Sequence, residues 1–214
     1  MTPFGVVVGL ATEARIARGA GWRVAIGGGT AAGATAAATA LIEQGCTSLV
    51  SFGLAGGLDP SLRPGAIIVP SAVIAGDARF TTDAALSHRL GGQTRHTIAG
   101  ADAIAASVAA KRALREQTGA AAVDIESGAV ARIAAAHGVP FAVLRAICDA
   151  ADRALPQAAI VALNANGEIS TWRVLASIAG NPAQLPGLFA LARDAAAAKR
   201  SLTARVRQVA GSRA

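Results

Sequence analysis

Short runs of β-branched and aliphatic residues recur along this chain, and alanine-rich stretches with helical spacing lie between them. Phe4–Leu10, Trp22–Ile26, Ser48–Leu54, Ala66–Ile74, Ala120–Asp124 and Phe141–Ile147 read as extended. Thr30–Gln44, Ala101–Gln117 and Ser127–His137 read as helices. Parallel strands need a long crossover, and a helix supplies it, so the alternation predicts an α/β fold with a mixed, mostly parallel sheet flanked by helices. About a quarter of the 214 residues are Ala and only 3% are aromatic. The core must therefore be built from small and aliphatic side chains, with helices favoured by the high propensity of Ala.

A chain of this length can bury a full core without disulfides or metals, so one domain over 1–214 is expected. Asp77–Ile98 is less regular and richer in Arg, Thr and His, which makes it a candidate active-site loop region. Beyond Asp152, the breakers Pro156, Asn164, Asn166, Gly167, Gly180, Pro182 and Pro186 divide the tail. They predict a connection, a short helix near Thr171–Ala179, and a C-terminal basic helix over about 187–209.

High hydrophobic content (53%) with few charges (15%) excludes a disordered chain. The net charge is +7, but six basic residues against one acidic lie in 186–214, so the body is nearly neutral. A nucleic-acid reader would spread basic charge over a surface and supply aromatics for stacking, so no nucleic-acid partner is expected. Cys46 and Cys148 are isolated, and His88, His96 and His137 lack ligand spacing, so neither a disulfide framework nor a metal site is expected. No apolar run of about 18 residues is present, and the N-terminus reads as a strand rather than a signal peptide. A cytoplasmic protein is expected.

Four segments carry chemistry or imitate it. Gly27-Gly28-Gly29-Thr30 follows a strand and opens a helix, where free N–H groups can hold an anion. With Ala32 it fits a loose dinucleotide fingerprint, but the next strand ends without the acid that would bind the ribose, and a purely structural glycine turn is the alternative. Ser51 to Pro60 ends a strand in Gly53, Gly56 and Gly57, which lets a ligand approach bare backbone. Val123-Asp124-Ile125-Glu126-Ser127-Gly128 and Arg145-Ala-Ile-Cys148-Asp149-Ala-Ala-Asp152 place carboxylates at the ends of two consecutive strands. One could orient hydroxyls while another donates a proton; the competing explanation is helix capping by Asp124 and Asp149.

Taken in order with Gly5-Val-Val-Val-Gly-Leu-Ala-Thr-Glu13-Ala and Leu62-Arg-Pro-Gly-Ala-Ile-Ile-Val69, these segments resemble the nucleoside phosphorylase and nucleosidase superfamily over residues 4–152. The breaker-rich tail is similar to that of one branch, the hopanoid-associated phosphorylases or adenosylhopane nucleosidases. The resemblance implies a nucleoside phosphorylase fold and cleavage of the N-glycosidic bond of an adenine nucleoside. Adenosylhopane is the expected substrate, with methylthioadenosine or another soluble nucleoside as the alternative, and a silent nucleoside-binding protein as the second alternative.

Residue by residue, the resemblance makes Asp149 the general acid toward N7 of the departing purine. Glu126 becomes the acceptor for the ribose 2′- and 3′-hydroxyls, and Glu13 the base that activates water. Ala55 and Gly56 would line base and sugar, Ile125 would pack on the ribose, and Ile104 stands where an aromatic commonly stacks on the base. Leu54 replaces a hydroxyl residue that helps hold phosphate or water, which argues against phosphorolysis. No metal or organic cofactor is implied; phosphate is a candidate co-substrate, with Gly28, Gly29 and Arg15 as candidate ligands.

Cys148 beside Asp149 suggests a thiol nucleophile, but no base adjoins it in sequence and buried thiols are usually inert. In the tail, Leu185, Leu188, Phe189 and Leu191 precede Lys199, Arg200, Arg205 and Arg207. With a lipid-bearing substrate, such a helix could make peripheral contact with the inner membrane surface; packing on the sheet with solvated charges is the alternative. Homodimers are common in the superfamily and one is a candidate here.

Overall fold

The computed structural model describes residues 4–161, 176–177 and 180–211. Among them, nine strands form one sheet: β1 (Phe4–Val8), β2 (Arg23–Ile26), β3 (Ser48–Gly57), β4 (Ile67–Ile68), β5 (Ala72–Ala75), β6 (Ala78–Thr81), β7 (Thr97–Gly100), β8 (Ala122–Asp124) and β9 (Phe141–Asp149). Seven helices accompany them: α1 (Ala11–Arg18), α2 (Ala31–Glu43), α3 (Ala84–Arg89), α4 (Val108–Thr118), α5 (Ser127–Ala136), α6 (Gln157–Val161) and α7 (Leu185–Gly211). The strand order is β2-β1-β3-β8-β7-β5-β6, with β9 pairing β3 and β4. Pairs β1–β2, β1–β3, β3–β9, β5–β7 and β7–β8 are parallel, while β3–β8, β4–β9 and β5–β6 are antiparallel. This is the expected mixed, mostly parallel sheet.

Alternation along the central strands sends their side chains to two apolar layers. Val7, Leu49, Val143 and Ile147 pack on one face with Ala34, Ala38 and Leu41 of α2 and Val130 and Ala134 of α5. Val6, Val8, Val50, Phe52 and Leu144 pack on the other with Ala14 and Ala17 of α1, Leu86 of α3, and Ala198, Leu202 and Val206 of α7. The basic tail helix, longer at both ends than 187–209, thus buries one face on the sheet. Ser51 and Arg145 interrupt the apolar pattern of β3 and β9, and both are buried.

The central strand β3 pairs with β9 through most of its length and with β8 at its end. Between Ala55 and Gly56 the β9 register slips, so that Ala55 faces Ile147 but Gly56 faces Asp149. Such a bulge bends the strand and re-aims its last side chains. It falls at the end of β3, where the sheet divides and opens a cavity.

Four local expectations change. The helix α1 fills Ala11–Arg18, which the apolar pattern had left unassigned because eight residues with two arginines carry little apolar signal. Ala66–Ile74 is two strands, because Pro70 cannot donate to a ladder. The stretch Ala101–Gln117 becomes helical only at Val108, where the Ser107 hydroxyl accepts Ala110 N–H at 3.0 Å. Asp77–Ile98 forms β6, α3 and the start of β7 rather than an active-site loop. Most of the Thr171–Ala179 helix, with Asn164, Asn166 and Gly167, lies outside the described residues.

Candidate active site

At the division of the sheet lies a cavity of about 200 Å³, lined by Gly9, Glu13, Ala55, Gly56, Glu126 and Asp149 among others. It gathers residues from the turn after β1, α1, the turn before α2, β3, the loop before α4, β8 and the turn after it, and β9. The four carboxylates that line it, Glu13, Asp124, Glu126 and Asp149, are all buried.

Glu13 stands at the third position of α1, where a carboxylate can reach back to the free N–H groups of the helix start. Its Oε2 accepts Gly9 N at 3.1 Å and Leu10 N at 2.8 Å, while Oε1 accepts Leu54 N at 2.8 Å. Burial raises the Glu13 pKa above its ordinary value, opposed by the Arg145 charge and these three backbone donors. A carboxyl tuned upward in this way suits a group that takes a proton near neutrality. Gly53 makes the arrangement sterically feasible: at φ 149° and with Glu13 Oε1 only 2.4 Å from where a Cβ would stand, no other residue fits without displacement.

Glu126 sits between β8 and α5. Desolvation pushes its pKa to about 7; Arg145 lowers it, and the neighbouring Asp124 and Glu13 charges raise it. Gly9 leaves room for it, since a Cβ there would lie 2.4 Å from Glu126 Oε1.

Arg145 organises this side of the cavity. It is 1% exposed, and its Nη2 donates to Ser51 Oγ at 2.7 Å and Glu126 Oε2 at 3.1 Å. Its Nη1 donates to the Leu54 carbonyl at 3.3 Å, and Nε lies 2.5 Å from Asp124 Oδ2. Three carboxylates therefore share one buried cation, which keeps its charge despite burial because Asp124, Glu126 and Glu13 surround it. Asp124 also accepts Ser127 N–H at 2.9 Å, so the capping explanation holds for Asp124. It fails for Asp149, which caps no helix.

Asp149 closes the opposite wall. Its Oδ2 is bound by the Nζ of Lys111, which is 1% exposed on α4. The same Nζ donates to the carbonyls of Ala150 at 2.8 Å and Arg153 at 2.9 Å. The Cys148 thiol donates to Asp149 Oδ1 at 3.2 Å. Burial and the Asp149 charge push that thiol well above its ordinary pKa, which keeps it protonated and unreactive.

The structure thus brings together Glu13, Glu126, Asp149, Ala55, Gly56, Ile125 and Ile104, all lining one cavity. Ile104 is 41% exposed at its mouth. Gly29 lines it too, whereas Gly28, at φ 68°, belongs to the turn between β2 and α2. Arg15, a candidate phosphate ligand, lies elsewhere, in a groove between α1 and α7 shared with Arg207. No residue of Asp77–Ile98 lines the cavity, so His88 and His96 stand apart from it. Gly27 and Gly33 are required by packing, because a Cβ on Gly33 would lie 1.9 Å from the Gly27 carbonyl.

Sequence reasoning assigned no role to Arg145, Lys111, Ser51 or Ser127. A charged residue inside the apolar run Phe-Ala-Val-Leu-Arg-Ala-Ile was the available signal for Arg145; nothing local marked Lys111. Among the described residues, no group of three or more His, Cys, Asp or Glu side chains is arranged to hold a metal ion. No described helix is long and apolar enough to cross a membrane.

A model of the phosphorylase superfamily matches residues 15–176, which include Glu126, Arg145 and Asp149 and begin two positions after Glu13. The 5′-methylthioadenosine/S-adenosylhomocysteine nucleosidases of Mycobacterium bovis and Mycobacterium tuberculosis are each 28% identical over 53% of this chain and 64% of theirs. The chain therefore spans just under two thirds of the length of these curated relatives. Among solved structures, native futalosine hydrolase of Helicobacter pylori superposes with a TM-score of 0.68 at 18% identity, covering 97% of this chain and 98% of that one. The 5′-methylthioadenosine/S-adenosylhomocysteine nucleosidase of Helicobacter pylori, with butyl-thio-DADMe-Immucillin-A, gives 0.67 at 18% identity, covering 97% and 99%. The likeness to these structures extends over the whole fold.

Proposed function

Because the chain belongs to the phosphorylase superfamily, we propose that it hydrolyses the N-glycosidic bond of an adenine nucleoside of the 5′-methylthioadenosine/S-adenosylhomocysteine type. The observation that carries this reading is Glu13, a buried carboxylate of raised pKa held in the cavity by three backbone N–H groups. In this scheme water, deprotonated by Glu13, attacks the anomeric carbon as the bond to the purine breaks. Glu126 accepts the ribose hydroxyls, and its charge favours the positive sugar of the transition state. Asp149 gives its proton to the leaving purine. The backbone of Ala55 and Gly56, bare at Gly56, lies along base and sugar.

Three observations favour water over phosphate. Leu54 offers no hydroxyl, and Arg15 lies away from the cavity. Arg145, the cation beside Glu13 and Glu126, is already engaged by Asp124, Glu126, Ser51 and the Leu54 carbonyl.

A second reading keeps the chemistry and changes the substrate to one with an apolar 5′ group, adenosylhopane. It is favoured by the aliphatic lining of Leu10, Leu54, Ile104, Ile125 and Leu155. Phe189, 73% exposed on α7 ahead of the basic end, would in this reading touch a membrane surface. A homodimer is part of either reading.

Adenine release by purified protein, with and without phosphate, from methylthioadenosine and from adenosylhopane tests both. Release from methylthioadenosine without phosphate is expected. A phosphate requirement would replace water as nucleophile, and turnover of adenosylhopane alone would favour the second substrate. No turnover of any nucleoside would leave a silent binding protein.

A further inference from the structure

Lys111 is a lysine with almost no access to solvent, placed in the first turn of a helix whose other described residues are all more exposed. Taking an ammonium out of water is costly unless its donors are met. Here all three are: one by Asp149 Oδ2, two by the carbonyls of Ala150 and Arg153. The two carbonyls alone would explain a lysine that fastens the chain after β9. They do not explain why its third donor takes one oxygen of a carboxylate that lines the cavity.

We propose that Lys111 is a positioning residue for Asp149, fixing Oδ2 so that Oδ1 faces the leaving base and setting a cation beside the charge that develops there. The inference rests on the reading of Asp149 as proton donor to an adenine nucleoside. In that step the O–H bond at Oδ1 breaks and an N–H bond forms on the purine. The electron pair of the glycosidic bond passes to the base, and Asp149 becomes an anion. The water oxygen bonds to the sugar carbon, and its proton goes to Glu13. The step turns Asp149 from proton donor into the carboxylate that pairs with Lys111 in this structure. The attraction of Lys111 is therefore stronger in the transition state than in the ground state, which is the condition for accelerating the step. Gly56, opposite Asp149 in the sheet, leaves the approach to Oδ1 open, since a Cβ there would stand 3.4 Å from that oxygen.

The test is a double-mutant cycle on adenine release with Lys111→Met, Asp149→Asn and the double variant. Lys111→Met should lower kcat roughly 10- to 100-fold with KM within about threefold. The double variant should be no slower than Asp149→Asn alone, because Lys111 then has no donor to assist. A fall in KM-dependent binding equal to that in kcat, or losses that multiply in the double variant, would reduce Lys111 to a structural fastener and overturn the proposal. Should Lys111→Met lose its cooperative thermal transition, Lys111→Gln keeps N–H donors without the charge. Wild-type rates for Lys111→Gln would overturn the proposal equally, while a selective loss of kcat would support it. Absence of adenine release by the wild-type protein would remove the functional reading itself, and this inference with it.

Discussion

Leu54 N donates to Glu13 Oε1 at 2.8 Å, locking a helix near the start of the chain to a strand residue 41 positions later. The donor is backbone, so the side chain at position 54 is free to vary without loosening Glu13. That separates two functions at one residue: the peptide holds the carboxylate, while the side chain decides what else can bind beside it.

Glu13→Gln keeps the shape but removes the base. An amide can accept from the helix start or from Leu54, not from both, so at least one N–H loses its partner, at a cost of about 1–3 kcal/mol each. Adenine release should fall about 100-fold or more, while the affinity for a non-hydrolysable nucleoside measured by calorimetry stays within about tenfold.

Gly9→Ala places a methyl group 2.4 Å from Glu126 Oε1, too close for both to stay. Overpacking of this kind costs about 1–3 kcal/mol, but the side chain that must yield is the proposed ribose acceptor. Steady-state kinetics should show KM raised about tenfold or more, with thermal unfolding still cooperative.

Arg145→Met leaves Asp124, Glu126 and Glu13 without their shared cation. Removing one partner of a buried ion pair costs about 3–5 kcal/mol, and here Asp124 and Glu126 both lose theirs while Glu13 loses a neighbouring positive charge. Urea denaturation should show a loss of at least that size, and a stability change below about 1 kcal/mol would disprove the organising role of Arg145.

Stability should depend on pH through Glu126. Burial makes the folded Glu126 hold its proton to about pH 7, against an ordinary value of 4.5. The native chain then binds more protons than the unfolded one between those values. This contribution to stability is complete below about pH 4.5 and is lost as pH rises through about 7. Glu13, raised in the same direction by burial, adds to the trend. Unfolding free energies measured at intervals from pH 5 to 8 should decline, and Glu126→Gln should flatten the decline.

The alternation of aliphatic runs and Ala-rich stretches was enough to read the sheet and its flanking helices, because strand and helix periodicities are local properties. Glu126 and Asp149 were legible as well, since each stands in a short motif at a strand's end, whereas Glu13 was legible only through the family resemblance. Helix α1 was not, being short and poor in apolar residues, and the apparent strand Ala66–Ile74 hid the break that Pro70 imposes. The irregular composition of Asp77–Ile98 suggested a site, yet that segment spends its polar groups on its own turns: the Thr82 hydroxyl donates to the Pro70 carbonyl, and Asp83 accepts Leu86 N–H.

By itself the sequence determined the α/β class, the placing of the carboxylates at strand ends and the small-residue core that lets helices lie close. Only the tertiary structure decided which charges meet. Arg145 gathers Asp124, Glu126 and Glu13, and Lys111 takes Asp149 from 38 positions away. Local propensity is set by each residue and its near neighbours. The partner of a buried charge is set by which elements the folded sheet brings within a few ångströms, where desolvation leaves an unpaired ion too costly to keep.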